Sequence, residues 1–453
     1  MPMARYLVAF PILATAAMAA DTGAGATFNK DILPILQQHC QSCHRPGEIG
    51  PMPFLTYEGT RPWAKSIKTA VVTRKMPPWF ADPQYGHFAN DRRLSDADVA
   101  NIAAWVDAGA PEGSAKDKPA PVKWTEGWNI KPDVIIEMSK PYTVPATGVV
   151  EYTYFVVPAP FKKDTWVLDG EVRPGNRSVV HHASVHVRPP GSQWLKDAKP
   201  GEPYVPPKTA LGEVPKDGSQ NKPGQPVNVS NEWLLGYVPG VHGEYFDVHH
   251  DAAHRAAKLI PAGSDLVFEM HYTPNGKTAG EDLTKVGFVL AKEPPARRLL
   301  TLPVANMEFA IPPGDANYAG HADAVFDKPV ELVYSQPHMH LRGKDMDIRL
   351  IYPTGESDML VSVPHFDFGW QLVYYEDKPI AVPKGTRIAL SAHWDNSANN
   401  RYNPDPSATV RWGDQTFDEM IFAWVGVIAD RDDTLDTVMA VRRGNAANAS
   451  PKP

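Results

Sequence analysis

At 453 residues the chain is longer than one hydrophobic core usually serves, so two to four domains are expected. Its 46 prolines are too many for a helix-rich enzyme and favour short strands between loops, while 43% hydrophobic residues suffice for globular cores. A net charge of −7 without a polybasic stripe argues against nucleic acid or an anionic membrane surface as partner.

Residues 1–19 read as a secretory signal: Arg5, an apolar core from Leu7 to Ala17, then Ala17-Met18-Ala19 as a small-residue cleavage site. No later segment has the length of a membrane span, so the mature protein is expected to be soluble and periplasmic or secreted. Exported chains normally place cysteines in disulfides. Here there are two, Cys40 and Cys43, and both have another use.

A helical region follows, over about 26–112. Ile32, Leu33 and Leu36 fit one helix face, with Pro34 tolerable in the first turn. The helix runs into Cys40-Gln41-Ser42-Cys43-His44. C-x-x-C-H is the attachment motif of c-type haem: the thiols form thioethers and the histidine ligates iron. A redox C-x-x-C and a zinc half-site compete with that reading; the adjoining histidine, the leader and the lack of further cysteines favour haem. The second axial ligand is expected from Met76, in Arg74-Lys75-Met76-Pro77-Pro78-Trp79, where Trp79 can cover the haem edge. Met52 and His87 compete for that role. Ser95 and Asp98 make a capping box for a closing helix with Val99, Ile102, Trp105 and Val106 on its buried stripe. The region resembles a small all-α class I cytochrome c domain.

Residues 113–128, rich in Pro, Lys and Ala, read as an extended linker. Beyond Pro132 the pattern changes to short alternating runs between Pro/Gly/Asp/Asn clusters: Val134–Glu137, Tyr152–Val157, Trp166–Leu168, Val179–Val187 and Leu266–Tyr272. This spacing predicts antiparallel β-sandwiches, one over 130–295 and a second over 296–435. Residues 189–230 read as a long surface loop and 436–453 as a disordered tail.

Pro337-His338-Met339-His340 follows the apolar run Leu332-Val333-Tyr334. Alternation along a strand sends His338 and His340 to one face and Met339 and Leu341 to the core. An isolated H-x-H is more often a pair of surface histidines. Here the chain supplies more ligands of the same kind. In Val180-His181-His182-Ala183, adjacent histidines face opposite ways on a regular strand. Both reach one metal only if the strand is distorted or they use different ring nitrogens. Leu266, Phe268, Met270 and Tyr272 form an apolar face, which turns Val267, Glu269 and His271 away from the core. Asp418-Glu419-Met420-Ile421-Phe422 opens an apolar strand with a thioether, which elsewhere is usually packing.

The order His-His, H-Y, H-x-H, D-E-M resembles the copper type II, ascorbate-dependent monooxygenases, the family of peptidylglycine α-hydroxylating monooxygenase and dopamine β-monooxygenase. The resemblance spans about 130–430 and includes Trp394-Asp395-Asn396-Ser397 and Trp412-Gly413-Asp414-Gln415-Thr416. It implies two β-sandwich domains, each with one copper, facing across a solvent-filled cleft. His181, His182 and His271 then match the electron-transfer copper, and His338, His340 and Met420 the copper where oxygen binds. Imidazoles suit both copper oxidation states, a thioether favours Cu(I), and three protein ligands leave a position open. The disulfides of the animal enzymes have no cysteines here. Gln336 and Phe422 stand where the peptide hydroxylase holds its substrate carboxylate, so a peptide C-terminal glycine is not the expected substrate, and Trp424 adds apolar bulk. His186, His242, His249, His250, His254, His365 and His393 have no counterpart in the resemblance.

The expectation is an exported copper monooxygenase that hydroxylates a C–H bond of a small organic molecule with O₂. Two coppers and one covalent haem serve it, and ascorbate or a redox protein is the external donor. A non-catalytic haem and copper electron carrier, or an oxidase that reduces O₂ without inserting oxygen, are the alternatives.

Overall fold

The computed structural model describes residues 25–48, 50–124, 127–206, 232–238, 244–245, 256–413 and 415–439. The expected leader, His242, His249, His250, His254, and residues 440–453 of the expected tail lie outside them.

The helical region builds its own small core. Phe28–Ile32 leads into Leu33–His39, which ends at Cys40, with Pro34 in the first turn where no N–H is needed. Ala64–Val72 packs on Asp96–Asp107, whose start carries the expected Ser95–Asp98 capping box. Phe28, Leu36, Ile67, Ile102 and Trp105 fill the space between them. Among the described residues no helix is long and apolar enough to cross a membrane.

The rest is strand. One sheet of nine strands runs through the whole β region. Its main path is Val134–Glu137, Lys285–Leu290, Thr165–Arg173, Ala256–Ile260, Arg297–Asn306, Ile421–Asp430, Val330–His338 and Tyr374–Val382. A five-stranded sheet covers its first half: Pro203–Tyr204, Thr153–Pro158, Asp265–Tyr272, Val180–Arg188 and Glu232–Tyr237. A four-stranded sheet covers the second: Tyr318–Val325, Arg387–Trp394, Gly343–Ile351 and Ser357–Val363. The faces meet in two cores, one around Phe155, Phe268 and Phe288, the other around Leu302, Ile348 and Trp394. The expected sandwiches therefore exist but share a sheet. The seam is a short parallel pairing, Arg297 with Ala256 and Arg298 with Ala257. Lys258 lies beside it, fully buried, and donates to the carbonyls of Trp233 (2.9 Å) and Leu234 (2.6 Å) and to the Thr301 hydroxyl (2.6 Å).

Three expectations are corrected. Trp79 does not stand over a haem edge: it belongs to the second sandwich core, 5.0 Å from the Tyr374 ring and 5.8 Å from Phe88. Its chain follows it there, since Ala89 donates to the Tyr375 carbonyl and Asp377 to that of His87. Residues 113–128 are not a free tether, because Gln37 donates to the Ala120 carbonyl (2.9 Å) and Arg45 stacks over Trp124 at 4.6 Å. The tail begins later than residue 436, since Leu435–Val438 is a capped helical turn and Val438 and Met439 are core residues. Trp79, Val438 and Met439 find more burial against a neighbouring element than local composition reveals. Residues 113–128 instead are held by a hydrogen bond and a cation–π stack while staying mostly exposed.

Candidate metal centres

His182 pairs directly with His271 across the antiparallel ladder, but Tyr272 pairs with Val180, so His181 is the extra residue of a β-bulge. A bulge leaves one residue unpaired and re-aims its side chain. This resolves the problem of adjacent histidines. All three rings turn the same nitrogen inward: Nδ1 of His181 lies 3.1 Å from that of His182 and 3.3 Å from that of His271, which is 3.4 Å from His182. These are mutually close ligand atoms in a half-buried to buried cluster.

The outer nitrogens show why Nδ1 is free. His181 Nε2–H donates to the Gly369 carbonyl at 3.2 Å, and a carbonyl only accepts, so the neutral ring keeps its lone pair on Nδ1. His182 Nε2 lies 2.9 Å from the Tyr152 hydroxyl, and His271 stacks on the same ring at 4.7 Å. Burial pushes all three imidazoles below their ordinary pKa, His271 to about 3. Lone pairs converging this closely repel unless a cation lies among them. The point equidistant from the three nitrogens is about 1.9 Å from each, close to the usual metal–imidazole distance of about 2.0–2.1 Å. The residues fit a metal ion.

The second set follows from register. His338 pairs with Phe422 and Gln336 with Trp424, and the ladder ends there; His340 and Met420 lie just beyond its last pair and line the same cavity as His338. Opposed residues of an antiparallel pair share a face. His338 Nδ1–H donates to Gln371 Oε1 at 2.5 Å and His340 Nδ1–H to the Asp418 carbonyl at 3.1 Å, leaving both Nε2 atoms free. The rings stand 5.2 Å apart at 87°, and burial lowers the pKa of each. Met339 is buried in the second core, as alternation requires; Leu341 is only half-buried.

Glu419 holds this corner. Its fully buried carboxylate accepts from the backbone of His340 (2.9 Å) and Arg342 (2.7 Å) and from the Trp394 indole (3.0 Å). Burial raises its pKa to about 7 against the pull of those donors. Arg342 reaches Asn396 (2.9 Å), and Gln415 accepts from the Tyr152 backbone (3.1 Å). The two Trp-containing accessory motifs thus support the two ligand sets.

Both sets approach one loop. Phe368 lies 5.7–6.5 Å from the rings of His181, His182, His271 and His340, while Gly369 and Gln371 accept from His181 and His338. An aromatic side chain therefore stands between the sets, where the resemblance implies open solvent. His182, His338, His340 and Met420 line one cavity of about 300 Å³, walled by Trp194, Trp233, Phe422 and Trp424. His186 also lines it, held at 3.0 Å by Glu269. His393 pairs with Asp345 instead, and His365 is exposed. Gln371, Gly369, Tyr152 and Phe368 escape sequence reasoning because they are distant in the chain. Glu419 alone left a signal, a charge beside Met420 opening an apolar strand.

In the helical region, Cys40 ends the first helix and the His44 amide donates to its carbonyl at 2.9 Å. Cys40 and Cys43 are not joined to each other, and burial pushes the Cys40 thiol up to about 12. His44 Nδ1–H donates to the Met52 carbonyl at 3.0 Å, which leaves Nε2 for iron, and the ring stacks on Phe54 at 4.3 Å. The donor set of the turn fits a covalent haem. Met76 is half-buried after helix Ala64–Val72, Met52 packs on the helical core, and His87 lies in the segment that follows the β edge.

No protein-family model matches the chain. Among solved structures, infectious bursal disease virus of the Gx strain covers 70% of this chain and 78% of its own, at 9% identity and a TM-score of 0.18. A Paenibacillus xanthan lyase covers 67% and 23%, at 10% identity and 0.16. Overlaps this slight carry no argument. Cytochrome c6 of Picosynechococcus sp. is 33% identical over 101 residues, which is 20% of this chain and 76% of that protein. The chain therefore contains a cytochrome c-like region covering about a fifth of its length.

Proposed function

We propose that the protein is an exported copper-dependent monooxygenase that hydroxylates a C–H bond of a small organic substrate with O₂. Its electrons enter through a c-type haem held on Cys40, Cys43 and His44. The observation that carries the reading is the contrast between two ligand sets around one cavity. His181, His182 and His271 offer three converging nitrogens. His338, His340 and Met420 offer two nitrogens and a thioether, and both histidines and the thioether line the cavity.

When bound, copper supplies one-electron redox chemistry at the first set and, with a thioether favouring Cu(I), reaction with O₂ at the second. The chain's own residues do the rest. Gly369, Gln371 and the Asp418 carbonyl fix the histidine tautomers. The aromatic wall excludes water and admits a substrate of limited size. His186 and Glu269 give that wall one polar patch for orienting a substrate group. Copper-loaded protein with a reductant, ¹⁸O₂ and a metabolite extract tests the proposal. A product carrying one ¹⁸O atom is expected; O₂ consumed with label only in water would make the protein an oxidase.

A further inference from the structure

One half-buried aromatic side chain packs against both ligand sets. The ring of Phe368 lies 5.7 Å from that of His271, 6.3 Å from His181 and 6.5 Å from His182. It also lies 6.0 Å from the ring of His340, edge to face at 84°. Its neighbours in the chain are tied one to each set. The Gly369 carbonyl accepts from His181 Nε2 at 3.2 Å, and Gln371 Oε1 accepts from His338 Nδ1 at 2.5 Å. Each bond uses the outer nitrogen of its ring and leaves the other free for a metal. Gln371 also closes back on the aromatic residue, because its Nε2 donates to the Phe368 carbonyl at 3.4 Å. The turn beneath is fixed as well. Asp367 accepts from the Gly369 N–H at 2.8 Å and from the Trp370 N–H at 2.9 Å, and the Gln371 carbonyl accepts from Gln336 at 3.1 Å. Gln371 is buried, so water competes little for these bonds.

We infer that Phe368 is the residue through which electrons cross from the His181–His182–His271 set to the His338–His340–Met420 set. Gly369 and Gln371 are the positioning residues that pin it between them. The inference rests on the two-copper reading above. An electron tunnels more readily through packed protein atoms than across water or a void. A ring in contact with histidines of both sets therefore offers a lower barrier than an open cleft. The hydrogen bonds on the outer imidazole nitrogens fix the ligands relative to that ring. Each crossing moves one electron: copper at the first set goes from Cu(I) to Cu(II), copper at the second from Cu(II) to Cu(I), and no proton moves. The Met420 thioether favours Cu(I) and so gives the transfer its direction. Phe368 ends unchanged, and the haem refills the first set.

The test uses full-length protein with both sets loaded with Cu(II). A flash-generated one-electron reductant is supplied below one equivalent, and samples frozen at successive times are read by electron paramagnetic resonance. Met420→Ile and His271→Ala proteins supply the signal of each set alone. In wild type, Cu(II) lost first from the three-histidine set should return there as the signal of the second set fades. Phe368→Leu should slow this exchange by about tenfold, with copper content and the dipolar copper–copper distance unchanged. Phe368→Tyr keeps the ring and should stay within about twofold of wild type. Gln371→Leu unpins the ring; it should slow the exchange and broaden the copper–copper distance distribution, which a residue that merely shapes the cavity wall would not do. A wild-type rate in Phe368→Leu with both coppers bound overturns the bridge alone. Protein that binds no copper at one of the sets overturns the two-copper reading and the bridge with it.

Discussion

At the scale of single residues, the choice of ring nitrogen separates the two ligand sets. The first converges three Nδ1 atoms, with Nε2 of His181 on the Gly369 carbonyl and Nε2 of His182 beside the Tyr152 hydroxyl; the second presents Nε2 because Gln371 and the Asp418 carbonyl occupy Nδ1. Met420→Ile removes the thioether while keeping an apolar side chain. It should abolish hydroxylation and the Cu–S scattering seen by X-ray absorption, yet leave one copper on His181, His182 and His271. Retained sulfur scattering would assign the thioether elsewhere. His271 also predicts a pH dependence in metal-stripped protein. Its folded pKa is about 3 against 6.5 unfolded, so between those values the unfolded chain holds the proton and the folded chain does not. Stability therefore falls as pH drops through that window, by about 2 kcal/mol at pH 5 for this one imidazole. Denaturant melts at pH 7 and pH 5 should show a smaller fall in His271→Asn than in wild type. Equal falls would show that the buried imidazole is not responsible.

At the scale of elements, each site depends on a departure from regular strand. The bulge at His181 brings adjacent histidines to one point, and Glu419 holds the turn after His338 to the strand that Met420 opens. The seam depends on Lys258, whose ammonium serves two carbonyls and a hydroxyl where Ala256–Ile260 meets Arg297–Asn306. Lys258→Met keeps the aliphatic volume but strips those acceptors of their donor, at a cost of roughly 2–4 kcal/mol. Calorimetry should show a lowered melting temperature. An unchanged melt would mean that water replaces the ammonium without penalty.

At the scale of the whole molecule, the helical region is docked. The Arg177–Glu48 pair binds it to the first sandwich, and residues 79–91 along strand Tyr374–Val382 bind it to the second. Proximity to the cavity lined by His182, His338 and His340 then comes from packing rather than from a short tether. One covalent haem and two coppers per mature chain are expected, from intact mass and metal analysis. A haem that acid-acetone extracts, or one copper at saturation, would refute that count.

The local patterns that place these side chains were legible in the sequence. C-x-x-C-H, H-x-H and the alternation of Leu266–Tyr272 are short-range patterns, and strand geometry alone sends His271 off the core face and Met339 into it. The capping box at Ser95 was legible for the same reason, since its partners lie three residues apart. Tertiary structure decided what depends on distant segments meeting. No local signal predicts that His181 bulges, because the shift appears only when Val180–Arg188 is paired with a strand some 90 residues later. Nor does one place Phe368 between the ligand sets or Trp79 in a sandwich core. The shared sheet has the same origin. Its seam is a two-residue parallel pairing between strands that each look complete within their own sandwich, and it becomes favourable only once Lys258 and the cores on either side are buried together.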